Sequence, residues 1–331
     1  MSPKALSAPR LPRLVLVGPT ATGKSAIALD LAEKIQVDEP ETRAEIINAD
    51  ASLLYQGMDI GTAKPSPAER SRTPHHQIDV LTVRDRASVA AFQRSARGDI
   101  DAVESRGHLP IIVGGSGLYV RALTDDLDFP GTDPTVRTRL SERAEREGTA
   151  ALHAELARLD PAAAERVEAS NTRRIVRALE VIEITGRPFS ASLPRYEDIA
   201  PPVHSALRCE RRLLDLRIND RARAMFEHGL VEEVETLIDQ GIREGETAPR
   251  AIGYSQALAV IDGTMSVPEA VDSTALATRQ LASRQIKWFR RDPRLHWIDV
   301  ALTETGQCTD SERSRMVRQA WELVLARRGV A

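Results

Sequence analysis

The segment 18–25, with the sequence GPTATGKS, limits the possible folds of this 331-residue chain more than any other. A glycine, four spacer residues and the triplet Gly23-Lys24-Ser25 satisfy the P-loop pattern. The apolar run 14–17 precedes the segment and a helix-forming run follows it, which is the strand–loop–helix context that the pattern requires. The segment therefore predicts an α/β fold with a parallel sheet and a phosphate-binding loop at one edge.

The residue types of this P-loop indicate how it would bind a phosphate group. Its backbone N–H groups point inward at the positive end of the following helix. Lys24 adds a positive charge near the terminal phosphate, and the Ser25 hydroxyl is a ligand for a bound Mg²⁺ ion. The residues predicted to bind a diphosphate or nucleotide are Gly18, Pro19, Thr20, Ala21, Thr22, Gly23, Lys24 and Ser25. The loop alone does not identify the phosphate compound.

A carboxylate and a glycine-rich turn are expected at the same edge of the sheet. The run 44–50 is typical of a short strand and ends in Asp50. Another apolar run, 109–113, leads into the turn 114–117, with the sequence GGSG. Because parallel strands bring their carboxyl ends to one edge, Asp50 should face the P-loop. The sequence leaves open whether the turn approaches a ligand or is only tight.

Histidines and loop charges in this half of the chain give weaker indications. The sequence predicts a further strand near 75–80. His75 and His76 are adjacent without a third ligand at a useful spacing, so packing roles are favoured over a metal site. Asp59 and Lys64 lie in a glycine-containing loop and are predicted to be solvated charges rather than ligands.

The composition of the chain changes along its length and predicts three parts. Residues 1–12 are predicted to be a loose tail, 13–130 together with 201–331 the P-loop core, and 131–200 a helical insertion. The insertion is rich in Arg, Glu, Ala and Leu at helical spacing and has no strand-like run. The other predicted elements are helices over about 87–106, 219–240, 269–291 and 310–327, and strands over 206–218 and 295–300.

The distribution of charge bears on possible partners. The formal net charge of −3 and the pI near 6.2 argue against a nucleic-acid-binding protein unless a local basic patch exists. Such a patch occurs at 279–294, where Arg284, Lys287 and Arg291 are predicted to share a helix face with Trp288 among them. Basic residues interleaved with a stacking group are typical of single-stranded nucleic-acid surfaces. A core tryptophan flanked by solvated charges is the open alternative.

Cysteine content and hydropathy indicate the expected compartment. Cys209 and Cys308 are far apart and form no CxxC pair, so neither a disulfide framework nor a zinc site is indicated. No apolar run approaches the roughly 20 residues that cross a bilayer. We therefore expect a cytoplasmic protein without a membrane partner.

These features alone allow more than one class of function. A nucleoside or small-molecule kinase that uses ATP would employ Asp50 as the base for an acceptor hydroxyl and an arginine to stabilise the transferred phosphate. An RNA-binding module would use the basic patch, and its P-loop would only sense a nucleotide. Spacing and composition do not decide between them.

Several short segments make the chain resemble the tRNA dimethylallyltransferase family. The segments are GPTATGKS, NADASLLYQGMDIGTAKP, PHHQID, IIVGGSGLYVRAL, RRIVRALEV, RAIGY and RQIKWFR, in family order over about 15–300. The resemblance implies a P-loop nucleoside-triphosphate-hydrolase-like core with a helical insertion and a central channel. It also implies transfer of a dimethylallyl group from dimethylallyl diphosphate to N6 of adenosine-37 in the tRNA anticodon loop, with release of diphosphate.

The same resemblance implies roles for individual residues. Asp50 matches the base that removes a proton from the adenine amine, and Arg221 matches the catalytic arginine, with Arg217 as the nearby alternative. The P-loop would hold the diphosphate, assisted by Mg²⁺ at its serine. The residues that match tRNA-contacting segments are Asp50, Ala51, Ser52, Leu53, Ser116, Arg137, Arg173, Arg174, Arg177, Arg250, Gly253, Tyr254, Arg284, Gln285, Lys287, Trp288 and Arg290.

Two residues depart from the family pattern. Ala51 stands where a serine usually follows the aspartate, and Ser283 stands where a basic residue is common. The hydrogen bond and the phosphate contact that the family pattern implies at these positions are therefore left open by the sequence. The implied partners are the anticodon stem-loop of tRNA and dimethylallyl diphosphate, and we expect a monomer.

Overall fold

A computed structural model of the chain describes residues 11–192, 196–200 and 202–328. Most of the predicted tail, 1–12, therefore lies outside the described residues. The chain divides into two compact units. Unit 1 comprises Met1–Thr124 and Asp198–Ala331, and unit 2 comprises Asp125–Glu197. Unit 2 begins and ends somewhat earlier than the predicted insertion.

Unit 1 contains a parallel sheet whose strands follow apolar runs of the sequence. The strands are β1 (Leu14–Val17), β2 (Ala44–Asn48), β3 (His75–His76), β4 (Leu109–Gly114), β5 (Val203–Arg208) and β6 (His296–Asp299). In the described part of the chain all six are parallel, in the order β3-β2-β4-β1-β5-β6. Every residue of β1 and β4 is buried, as strands covered on both faces require. The predicted parallel α/β sheet is confirmed.

Helices account for most of the remaining chain. In chain order they are α1 (Lys24–Asp38), α2 (Pro67–Arg72), α3 (Val89–Ser105), α4 (Gly117–Thr124), α5 (Pro134–Glu147), α6 (Thr149–Leu159), α7 (Pro161–Arg166), α8 (Thr172–Thr185), α9 (Arg211–Glu227), α10 (Leu230–Asp239), α11 (Tyr254–Ile261), α12 (Val267–Phe289) and α13 (Asp310–Ala326). α1 and α13 pack together in one core with the sheet, around Leu16, Ile111 and Trp321. None of the helices in the described ranges is long and apolar enough to span a bilayer.

Unit 2 is formed by α5 to α8, which enclose their own apolar core. Leu152, Leu156, Ile175 and Leu179 are buried in this core at helical spacing. The start of α8 is capped by Asn171, whose side chain accepts a hydrogen bond from the Arg174 N–H group. The unit therefore has the packed helical character that its composition predicts.

One predicted strand is mostly a helix. The sequence predicts a strand over 206–218, but β5 ends at Arg208 and α9 begins at Arg211. Leu214, Ile218 and Ala222 recur every four residues and are buried on one side of α9. This helical period, rather than strand alternation, determines the structure of the segment.

A second predicted strand is shorter than expected. The strand near 75–80 comprises only His75–His76, because Gln77 and Asp79 adopt positive φ angles of 60° and 57°. The Lys64 side chain is 1 % exposed and pairs with Asp59 at 2.6 Å and Asp79 at 2.5 Å. The prediction that Lys64 is a solvated charge is therefore wrong, since the lysine links two loops.

The chain of unit 1 closes on itself where the helical unit is inserted. The N–H group of Ile199 donates to the carbonyl oxygen of Thr124 at 2.9 Å. Thr124 is the last residue of α4, and β5 begins shortly after Ile199. The two ends of the interrupted chain of unit 1 are therefore side by side.

Candidate active site

The P-loop connects β1 to α1 and is shaped by two glycines. Gly18 has a φ angle of 147°, and a Cβ atom on it would lie 2.8 Å from the carbonyl oxygen of Leu207 on β5. Gly23 has a φ angle of 91° and immediately precedes α1. Larger residues would be strained at both positions. The two glycines thus let the loop lie against β5 and enter α1 within a few residues.

Lys24, the first residue of α1, is held against the loop and has a lowered pKa. Its Nζ atom donates to the carbonyl oxygen of Pro19 at 2.9 Å. Burial lowers the pKa of Lys24 to about 8, while Asp50 opposes this shift and Arg221 adds to it. Lys24 is therefore mostly cationic at neutral pH, but its charge responds to neighbouring charges.

Asp50 follows β2 and is oriented by polar groups of neighbouring segments. Its N–H group donates to Asn48 Oδ1 at 2.9 Å, and Asn48 Nδ2 donates to the Asp50 carbonyl oxygen at 3.0 Å. The hydroxyls of Ser116 and Ser52 donate to Asp50 Oδ1 at 3.2 Å and 3.4 Å. Oδ2 accepts no hydrogen bond from the described residues. Sequence reasoning missed the role of Asn48, although an amide at the end of an apolar strand was a signal.

Arg221 reaches the P-loop from α9. Its Nη1 atom donates to Thr20 Oγ1 at 3.2 Å, and Nη2 donates to the carbonyl oxygen of Thr62 at 3.3 Å. The Nε atom is buried and has no hydrogen-bond partner among the described residues. Burial lowers the pKa of Arg221. Arg217, one turn earlier, donates instead to the Gly306 carbonyl oxygen at 3.1 Å. Of these two arginines, Arg221 is thus the one that hydrogen-bonds to the P-loop.

Two cavities of unit 1 share Thr20, Asp50 and Arg221 in their walls. The larger cavity has a volume of about 700 Å³ and is also lined by Lys24 and Ser25. The smaller cavity has a volume of about 220 Å³, and α9 and α12 supply half of the residues that line it. The carboxylate of Asp50 and the cationic side chains of Lys24 and Arg221 therefore line the same cavity, together with other charged residues. Such a site offers a base and a binding surface for an anion.

The feature of this cavity that bears on metal binding is the hydroxyl group of Ser25. The Ser25 side chain is exposed, and its hydroxyl makes no hydrogen bond within the described ranges. One hydroxyl suits a hard cation that takes its other ligands from water and phosphate. Elsewhere, His76 Nε2 bonds to Glu45 Oε2 at 2.6 Å. Across the described residues, no group of three or more His, Cys, Asp or Glu side chains is arranged to hold a metal ion.

The C-terminal end of α12 carries an exposed basic surface. Arg284, Lys287 and Arg290 are exposed, and 38 % of Trp288 is accessible to solvent. The alternative of a core tryptophan is therefore wrong. Arg291 lies beyond the helix, where its N–H group donates to the Trp288 carbonyl oxygen at 3.2 Å. The predicted single helix face thus does not extend to Arg291.

Two residues with a predicted RNA contact lie inside unit 1. Gln285 is 7 % exposed, and its Oε1 atom accepts from the Thr20 N–H group at 2.8 Å. Its Nε2 atom donates to the Gly115 carbonyl oxygen at 2.9 Å. Tyr254 is fully buried and donates to Glu233 Oε1 at 2.5 Å. These side chains point inward because their hydrogen-bond partners lie in the protein interior. A contact with RNA is predicted for both, and such a contact would require them to face a surface or a cavity.

The remaining predicted contacts of unit 1 differ in exposure. The turn 51–53 is partly exposed, and Arg250 is exposed. Gly253 is buried, with a φ angle of 91° at the start of α11. Ser283 accepts a hydrogen bond from Arg211 Nη1 at 2.6 Å. The serine that departs from the family pattern is therefore bonded within unit 1.

The predicted RNA contacts of unit 2 fall into two pairs. Arg137 and Arg177 both bind the buried carboxylate of Glu180, at 2.5 Å and 2.9 Å. Burial opposes ionisation of Glu180, but hydrogen bonds from Arg177 and Arg137 lower its pKa. Arg173 and Arg174 are exposed on the first turn of α8. The first pair therefore has a structural role within unit 2, and the second pair faces solvent.

Comparisons with known proteins agree with one another. The model of a family described as IPP transferase matches residues 53–292. A relative from Kineococcus radiotolerans, named tRNA dimethylallyltransferase, is 52 % identical over 290 residues, which cover 88 % of this chain and 91 % of the relative. A relative of the same name from Thermobifida fusca is 53 % identical over 285 residues, covering 86 % and 89 % of the two chains.

Solved structures with the same fold are also similar. A tRNA isopentenylpyrophosphate transferase from Bacillus halodurans has a TM-score of 0.66 and 34 % identity, covering 96 % of this chain and 98 % of its own. A eukaryotic dimethylallyltransferase described as acting on tRNA has a TM-score of 0.77, covering 94 % of this chain and 79 % of its own. Because its identity is only 22 %, the second likeness shows the fold alone.

Proposed function

The chain belongs to the IPP transferase family, and we propose that it transfers a dimethylallyl group from dimethylallyl diphosphate to N6 of adenosine-37 in the anticodon loop of tRNA. Diphosphate is the second product. The observation that carries this proposal is the cavity lined by Lys24, Asp50 and Arg221. These residues supply the two functions that the reaction needs, which are a base for the amine and cations for the leaving group.

Stabilisation of the leaving group is the proposed role of the P-loop. As the allylic C–O bond breaks, negative charge accumulates on the diphosphate oxygens. Lys24 and Arg221 offset this charge, and the Arg221 Nε–H group, which has no protein partner in the described part of the chain, is available to donate to an oxygen. P-loop N–H groups at the start of α1 favour an anion there.

Proton removal is the proposed role of Asp50. The lone pair of the adenine N6 amine is delocalised into the ring, so the amine is a weak nucleophile. A carboxylate that accepts a proton from N6 while the N–C bond forms lowers the barrier. A hydrogen bond from the Ser116 hydroxyl to Oδ1 and one from the Asp50 N–H group to Asn48 Oδ1 orient Asp50 and leave Oδ2 to receive the proton. The products are prenylated adenosine, protonated Asp50 and diphosphate, and Asp50 then loses its proton to solvent.

A Mg²⁺ ion is part of the proposal. The Ser25 hydroxyl, which faces the larger cavity, would hold it together with diphosphate oxygens and water. When bound, the ion would neutralise part of the charge of the leaving diphosphate. Ser25 is suited to this role because its hydroxyl has no competing hydrogen bond among the described residues.

Recognition of the tRNA is assigned to exposed basic residues. Arg284, Lys287 and Arg290 provide positive charge for phosphates, and Trp288 provides a face on which an unpaired base stacks. Arg173 and Arg174 of unit 2 provide further positive charge. The target adenine must leave its stack to reach a partly buried carboxylate, so we expect base flipping.

We further propose that the enzyme is monomeric and cytoplasmic, the latter supported by two free cysteines.

The kinase alternative is not favoured. A kinase would use ATP at the same loop, but the relatives reported above carry the dimethylallyltransferase name. The two reactions are separated by incubating the protein with Mg²⁺, unmodified tRNA and either dimethylallyl diphosphate or ATP. Mass spectrometry of the digested tRNA should reveal an adenosine heavier by one dimethylallyl group, formed only with the prenyl donor. Unmodified tRNA together with ATP consumption would refute the proposal.

The role of Asp50 has its own test. Asp50→Asn keeps the shape of the side chain but removes the base, so turnover should fall by at least about a hundred-fold while tRNA affinity is retained. Asp239→Asn, an exposed carboxylate at the end of α10, is the matched control and should keep wild-type turnover. Wild-type turnover by Asp50→Asn would exclude Asp50 as the base.

A further inference from the structure

Gln285 differs from its neighbours on α12 in the direction of its side chain. Arg284 and Lys287 are exposed, whereas Gln285 is 7 % exposed and uses both polar atoms of its amide within the protein. It accepts from the Thr20 N–H group at 2.8 Å and donates to the Gly115 carbonyl oxygen at 2.9 Å. The side chain therefore connects the P-loop to the turn after β4.

Each of these partners is next to a group of the proposed reaction. The Thr20 hydroxyl accepts a hydrogen bond from Arg221 at 3.2 Å. Gly115 precedes Ser116, whose hydroxyl donates to Asp50 at 3.2 Å. One buried amide thus joins the loop that would hold the diphosphate to the turn that orients the base.

The packing around Gln285 leaves little freedom for this connection. A Cβ atom on Gly115 would lie 2.4 Å from Gln285 Nε2, so the amide approaches the backbone as closely as a glycine allows. A Cβ atom on Gly114 would lie 2.2 Å from the carbonyl oxygen of Ala49, the residue before Asp50. The turn is therefore in tight contact on both sides, and a shift of Gln285 would be transmitted to the segment that carries Asp50.

We propose that Gln285, which lines the smaller cavity beside Asp50, is a positioning residue for prenyl transfer whose amide binds Thr20 and Gly115 rather than tRNA. It sets the distance between the diphosphate loop and Asp50, and so the alignment of the allylic carbon with the adenine amine. The inference rests on the proposed function. Displacement of reacting groups by about 1 Å lowers rates by about a hundred-fold, so loss of this connection should act on the chemical step.

The first test compares two identical changes on one helix. Gln285→Leu has nearly the same size but leaves the Thr20 N–H group and the Gly115 carbonyl unpaired. We expect kcat to fall about ten- to hundred-fold and KM for dimethylallyl diphosphate to rise, with KM for tRNA unchanged. Gln280→Leu, an exposed position of α12, is the control and should have wild-type constants. Arg284→Ala should instead raise KM for tRNA and leave kcat and KM for dimethylallyl diphosphate unchanged.

A second variant separates positioning from a loss of folding. In Gln285→Glu, a protonated carboxyl can still accept from Thr20 and donate to Gly115, whereas the ionised carboxylate repels the Gly115 carbonyl oxygen. Burial raises the pKa of such a carboxyl. The ratio of variant to wild-type kcat, measured at each pH well below the melting temperature, should therefore rise about ten-fold from pH 8.5 to pH 6. Because a buried carboxyl with a raised pKa also destabilises the fold as pH rises, the melting temperature of Gln285→Glu is measured at each pH, and kcat is compared only where the variant is fully folded.

The outcomes distinguish this inference from the proposed function. If wild-type protein prenylates tRNA and Gln285→Leu keeps wild-type kcat and donor KM, Gln285 is not a positioning residue. A rise in KM for tRNA alone would return it to the RNA-contacting surface. If wild-type protein forms no prenylated adenosine, the proposed function fails, and the inference fails with it. A lowered kcat with an unchanged KM for tRNA supports the inference.

Discussion

Raising the pH above about 8 should weaken binding of the prenyl donor through one residue. The pKa of Lys24 is about 8, because burial disfavours its charged form. Below this pH the side chain is charged and attracts the diphosphate. Above it, Lys24 of the free protein is neutral and must take up a proton when the donor binds. The affinity for the donor is therefore near its maximum at neutral pH and decreases as pH rises through 8.

The size of the effect follows from the pKa. At pH 9 about nine-tenths of the free protein has a neutral Lys24, so affinity should fall about ten-fold, and each further pH unit should cost another factor of about ten. This corresponds to about 1.4 kcal/mol of binding free energy per pH unit. An ordinary lysine, with a pKa near 10.4, would give almost no change between pH 7 and 9.

Isothermal titration calorimetry of dimethylallyl diphosphate, without tRNA and from pH 7 to 10, measures this dependence. Parallel titrations in buffers of different ionisation enthalpy count the proton that is taken up. Lys24→Arg stays charged over this range and should remove most of the slope, which also corrects for titration of the ligand itself. A dependence identical in both proteins would refute the assignment to Lys24.

Three further predictions concern packing, charge and orientation. Gly61→Ala places a Cβ atom 2.4 Å from the Tyr254 ring and should lower the free energy of unfolding by about 1–3 kcal/mol in urea titrations; an unchanged value would contradict the close contact. Glu180→Ala leaves two arginines without their buried partner and should cost about 2 kcal/mol of unfolding free energy; a stabilised variant would show that the pair is unfavourable. Ser116→Ala removes a hydrogen bond to Asp50 and should lower kcat about ten-fold at unchanged KM for tRNA; a raised KM alone would indicate an RNA contact instead.

Sequence reasoning is most effective where local pattern and topology agree. The apolar runs that form β1 and β4 are buried on both faces, and their short length favours strands over helices. Because the ends of parallel strands meet at one edge, the common cavity of Asp50 and the P-loop follows from strand order. This part of the site could be predicted without coordinates.

Tertiary packing determines what the sequence could not. The segment 206–218 mixes charged and apolar residues, and only its burial pattern identifies most of it as helix. Gln285 and Trp288 are three residues apart in one basic segment, yet one is buried and the other exposed. Their directions depend on contacts with distant segments, such as the turn at Gly115, which no local pattern reveals. The same reason applies to Tyr254, whose burial depends on its contact with the distant Glu233.

The hydrogen bond between Ile199 and Thr124 has a consequence for how such a chain could be built or shortened. Since the interrupted chain leaves and re-enters unit 1 at neighbouring points, a linker of a few residues could bridge them without changing the order of the strands. Both strands beside β1 would keep their partners, because β4 precedes the interruption and β5 follows it. Unit 1 could thus be prepared without unit 2 and tested by itself for the proposed binding of dimethylallyl diphosphate.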